Sequence, residues 1–104
     1  MKQKFLVVYE HGEGNYSGFA PDIPGAISTG KTLQSMRRMM KESLEAHLLF
    51  MASDGDPMPK PVTTDVSFSP GDDPQGEVDH YVVEWLEIDV PVSKQIHTVE
   101  ALTA

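Results

Sequence analysis

The chain is 104 residues long, the size of one domain that buries roughly 60–65% of its unfolded surface, with little room for a second. It contains no cysteine, which excludes disulfides and thiolate zinc sites and fits a reducing cytoplasm. Its leading apolar run, Phe5–Tyr9, is too short for a signal peptide or a membrane span. The net charge of −8 is uneven: residues 1–52 hold six Lys/Arg and five Asp/Glu, while residues 53–104 hold two and eleven. An acidic half of this kind repels phosphate backbones and attracts a basic partner.

Lys4–Glu10, KFLVVYE, is aromatic and β-branched and predicts a strand. It is apolar on both faces over most of its length, as a central strand of a sheet would be. His11-Gly12-Glu13-Gly14 then supplies a hairpin connection to a second strand, Asn15–Ala20. Two prolines in Pro21-Asp22-Ile23-Pro24-Gly25 remove two backbone donors, so this stretch is not a central strand. Ala26–Thr29 is a short third strand ended by Gly30.

Thr32 predicts an N-cap for a helix from about Leu33 to Ser53. Leu33, Met36, Met40, Leu44, His47 or Leu48, and Met51 recur at helical spacing and form its apolar face. Asp54-Gly55 stops it, and Pro57, Pro59 and Pro61 prevent continuation. Residues 55–79 form a proline-, glycine- and acid-rich connection in which Val66-Ser67-Phe68 could add an edge strand. Tyr81–Val90, YVVEWLEIDV, is the last strand, with Glu84 and Glu87 facing water. Residues 91–104 form a tail or one short turn of helix. The whole is a single α+β domain of order β-β-β-α-β, with one helix on one face of a mostly antiparallel sheet. The other face must be polar or be covered by a second subunit, so a homo-oligomer is expected.

Gly25–Thr32, GAISTGKT, matches the phosphate-binding pattern G-x-x-x-x-G-K-T. That loop requires a buried parallel strand before it, and APDIP cannot be one. Turn residues at Gly25 and Gly30 and a helix cap at Thr32 explain all but Lys31, so no nucleotide cofactor is expected.

The histidines, His11, His47, His80 and His97, lack H-x-x-x-H or H-E-x-x-H spacing. A metal site would need distant residues to converge, and none is expected. His47 reads as a packing residue. Asp54, Asp56, Asp72, Asp73 and Asp79 stand in loops, where solvated charge is the default. No serine occupies a G-x-S-x-G elbow. Nothing in the chain signals an enzyme. Its six methionines read as adaptable packing.

The linear pattern nevertheless has a strong resemblance. Tyr9-Glu10, Gly14-Asn15-Tyr16-Ser17, Phe19, Pro21-Asp22-Ile23-Pro24-Gly25, Thr29-Gly30, Thr32-Leu33, His47, Gly55 and Pro57-Met58-Pro59 resemble the run found in HicB-type antitoxins. The resemblance covers about residues 4–61, with a weaker match in the last strand. It implies a partial ribonuclease-H-like domain without catalytic carboxylates, forming dimers or tetramers and neutralising a small basic ribonuclease toxin, HicA, by masking its surface. An orphan oligomeric module binding a small ligand is the alternative, and an Asp/Glu metal-dependent enzyme a remote third.

Three departures stand out. Ala26 replaces a common cysteine. Lys31 and Ser35 replace acidic residues near the helix start, which weakens the capping box and the complement to the helix dipole. Only fourteen residues follow Val90, too few for the DNA-reading domain many members carry, so direct DNA binding is not expected. Tyr16, Phe19, Asp22, Pro24 and Trp85 are the candidate partner-binding residues, with the three aromatics as anchors if they are exposed.

Overall fold

The computed structural model describes residues 1–93. Strand β1 is Lys2–Gly12, β2 Asn15–Phe19 and β3 Ile27–Gly30; helix α1 is Leu33–Ser53; strand β4 is His80–Asp89. The sheet order is β3-β2-β1-β4, and every neighbouring pair is antiparallel. The α+β fold with one helix and central β1 agrees with the sequence reading. β1 extends beyond Lys4–Glu10 at both ends because β4 pairs with it from Lys2 to His11. Its turn to β2 holds Glu13 and Gly14 at φ of 56° and 75°, the two positive values that a tight hairpin of right-handed strands requires.

Alternation divides the sheet into two faces. Phe5, Val7 and Tyr9 of β1 and Ile88 of β4 face α1 and meet Met36, Met40, Leu44 and Leu48, all fully buried. These helix residues fall at the expected 3.6-residue spacing. Ala20, Ile23 and Ala26 close the core from the β2–β3 connection. α1 lies very close to the sheet: a Cβ on Gly30 would sit 2.7 Å from the backbone nitrogen of Met36.

The helix start is better made than its residue types suggested. The Ser35 amide donates to Thr32 Oγ1, and the Thr32 amide donates to Ser35 Oγ, each at 3.0 Å. Serine thus completes the reciprocal box that a glutamate usually provides. At the other end Asp54 caps, and Gly55 turns the chain at φ 78°.

Val66-Ser67-Phe68 is not a strand. Side-chain acceptors take the amides that a ladder would use: the Val66 amide donates to Asp65 Oδ1 and the Ser69 amide to Asp72 Oδ2. A single 3-10 turn at Pro70–Asp72 follows. Pro91–Ser93 carries no regular structure, and the rest of the expected tail lies outside the described residues.

Candidate functional site

The face of the sheet turned away from α1 is only half covered. Ile27, Phe19, Val8 and Val83 stand in one register row across all four strands, and Leu6 pairs with Trp85 in the next. Val8 and Leu6 are buried, whereas Ile27 is 69% exposed, Trp85 49%, Val83 41% and Phe19 37%. Glu10 and Glu87 share this face by alternation, with Lys4 the cross-strand partner of Glu87, so charged groups border the apolar row. An apolar strip with a charged rim can take up a partner that is itself apolar at its centre and polar around it.

The connection between α1 and β4 covers the other half. Asp22 holds it: Oδ2 accepts from the Thr63 amide at 2.8 Å and Oδ1 from the Thr63 hydroxyl at 2.6 Å. Farther along, Phe68 stacks on Tyr81 with ring centroids 3.8 Å apart. Val66, Phe68 and Asp72 then line a groove of about 370 Å³ with Glu10 and Phe19.

Of the candidate residues, the structure brings Phe19 and Trp85 to this one face. Tyr16 lies on the helix side, partly buried against the core. Asp22 spends both carboxylate oxygens on Thr63, and Pro24 is exposed in the β2–β3 connection. Glu84, expected to face water, turns toward α1 because it shares the face of Val82 and Leu86. Both of its oxygens accept from Arg37 Nε, at 2.7 and 2.9 Å. Glu87 is exposed as expected. His47 is half-buried, and a Cβ on Gly25 would come 3.3 Å from its Cε1.

Gly25–Thr32 builds no phosphate cradle. Gly25 turns the chain at φ 95°. Ile27–Gly30 is an edge strand bonded to β2, and Thr32 spends its hydroxyl on the helix cap.

A second cluster escaped the sequence reading. His11 and His80 pair across β1 and β4, and their rings stack 4.6 Å apart. Both donate from Nδ1 to Asp79 Oδ1, at 2.8 and 2.5 Å. The hydrogen bond from His11 foremost, supported by that from His80, holds the Asp79 carboxyl below its usual range against the upward push of burial. Linear spacing contains no sign of this cluster. Only the antiparallel register of the first and last strands brings the residues together.

Comparison with known proteins places this geometry. The model of the UPF0150-like family matches residues 6–59. A UPF0150 protein of Thermotoga maritima is 38% identical over 40 residues, which cover 38% of this chain and 53% of that protein. The chain thus spans about half the length of that curated relative. Among solved structures, a chain of a HicA3 and HicB3 toxin–antitoxin complex superposes with a TM-score of 0.59 at 23% identity, over 84% of this chain and 99% of that one. A chain of a toxin–antitoxin complex from Streptococcus pneumoniae gives 0.69 at 16% identity, over 98% and 86%. The antitoxin HicB of Burkholderia pseudomallei gives 0.57 at 19%, over 96% and 81%. At these identities the likeness is one of fold, and it bears out the fold that the sequence resemblance implied. No helix among the described residues is long and apolar enough to cross a membrane.

Proposed function

Because the chain belongs to the UPF0150-like family and has the fold of HicB antitoxins, we propose that it is a non-catalytic antitoxin module that neutralises a small basic ribonuclease by covering its surface. The observation that carries this reading is the open apolar patch of Ile27, Phe19, Val83 and Trp85, with Glu10 and Glu87 on the same face. Trp85 is the anchor, since it is the largest of the half-exposed apolar side chains on this face and has the most surface left to bury. The acidic half of the chain raises the association rate, and the aromatics set the dissociation rate. Self-association as a dimer or tetramer and residence in the cytoplasm belong to the same reading.

The test uses the basic chain of roughly sixty to ninety residues expected from a neighbouring reading frame. That chain alone should cleave RNA, and an equimolar amount of this protein should stop it. Trp85→Ala should speed dissociation at least about tenfold with little change in association. Failure of the wild-type protein to bind or inhibit the basic chain would overturn the reading.

A further inference from the structure

We propose that His11, Asp79 and His80 form a binding site for a divalent transition-metal ion of the zinc class, with at least one coordination position open. This inference is independent of the antitoxin reading. One ligand atom from each residue lies within 4.8 Å of the others. Ligands about 2.0–2.2 Å from a tetrahedral ion stand roughly 3.4 Å from one another. The Nδ1–Oδ1 separations of 2.8 and 2.5 Å therefore need only a small opening. The ion takes the place of the two imidazole protons that now bond the carboxylate.

The donor set decides the class of ion. Two imidazole nitrogens and one carboxylate oxygen suit zinc, cobalt, nickel or copper, whereas magnesium and calcium prefer all-oxygen shells. Three protein ligands leave a position for water or for a donor from another molecule. Asp79 is 57% exposed and His80 49% at the side chain, so an ion can enter without unfolding anything.

The fold holds the three groups in place before any ion arrives. His11 is fixed opposite His80 by the β1–β4 register. The Asp79 amide donates to the His11 carbonyl at 2.8 Å, which sets the carboxylate beside the ring. Gly12 permits this approach: a Cβ there would lie 2.3 Å from the Glu77 carbonyl oxygen. Tyr16 stands edge-on to both rings, at 4.5 Å from His11 and 5.9 Å from His80, and limits their rotation. Glu13 and Glu77 line an adjoining cavity of about 200 Å³, so the surrounding potential favours a cation.

Calorimetric titration of the full chain with zinc chloride tests the proposal, with cobalt as a visible-absorption probe of imidazole ligation. One ion per chain should bind with a dissociation constant of roughly micromolar or below. His80→Ala and Asp79→Asn should each weaken binding at least about tenfold. Both alter half-exposed side chains, and circular dichroism confirms that the variants fold. His47→Ala should retain wild-type affinity. The proposal is overturned by no zinc binding up to about 1 mM, by affinity unchanged in His80→Ala and Asp79→Asn, or by equal affinity for magnesium.

Discussion

The two faces of this sheet are made from the same strands and end differently. Phe5, Val7 and Tyr9 alternate along β1 with Leu6 and Val8, and all five are buried. On one side a single helix covers them with four fully buried side chains. On the other a loop lies over part of the surface and leaves Ile27, Phe19, Val83 and Trp85 in contact with water. A regular element covers the centre of a face because its side chains repeat in register with the sheet. An irregular connection, whose amides bond to its own aspartates, covers only where it is tied down. The helix face therefore holds the fold, and the loop face is free to serve recognition.

Substitution on each face gives the sharpest test of this division. Leu44→Ala removes a fully buried side chain and should destabilise the protein by about 2–5 kcal/mol. Trp85→Ala should cost only about 1–2 kcal/mol, because half of the ring is already hydrated. Chemical denaturation measures both. The comparison fails if Trp85→Ala costs as much as Leu44→Ala, since Trp85 would then be core.

A smaller effect probes the helix face for a flaw. The Tyr9 hydroxyl is buried there without a hydrogen-bond partner among the described residues. Burial foremost, then the charge of Glu84, push its ionisation far above the ordinary tyrosine range. Tyr9→Phe should be neutral or stabilise by up to about 1 kcal/mol, since a buried donor without a partner is a liability. A loss of more than about 1 kcal/mol in thermal melts would reveal a partner for the hydroxyl.

The smallest effect lies at the margin between α1 and β4. Burial pushes the Glu45 carboxyl up, but the Asp89 amide and the Lys41 ammonium, each donating at 2.7 Å, more than offset it and leave its pKa lowered. A carboxyl with a folded pKa below its unfolded one contributes stability above the unfolded value. That contribution disappears as the pH falls through the folded value. Glu45 should thus support the fold at neutral pH and progressively lose that effect as the pH drops below the ordinary value of 4.5. For so exposed a group the contribution is under about 1 kcal/mol. Glu45→Gln should flatten the fall of melting temperature on acidification, and an unchanged acid slope would remove the group from the account.

Much of this was legible in the sequence, for local reasons. The helix announced itself through Thr32, the Met36-Met40-Leu44-Leu48 spacing and Asp54-Gly55. The central place of β1 followed from its two apolar faces. Phe19 and Trp85 could be named as candidates, but not placed on one face, because that depends on β2 and β4 both flanking β1 in register. Glu84 was misread because the strand's phase relative to the helix is fixed by packing and cannot be read from composition. His11 and His80 are 69 positions apart, and nothing in their separate surroundings links them. Serine at the third helical position looked like a weakness and proved a working cap, since its hydroxyl both gives and accepts at Thr32.

The pairing of β1 with β4 has a consequence during synthesis. β1 leaves the ribosome before β4 and gains it as a second neighbour only after residues 80–89 have emerged. Until then β1, the most apolar strand, has β2 on one edge and open amides and carbonyls on the other. β2, β3 and α1 can assemble on it meanwhile, because their contacts are near in sequence. A nascent or truncated chain ending before His80 therefore carries a sticky edge, open to a chaperone or a second such fragment. Pairing with His80–Asp89 removes that edge.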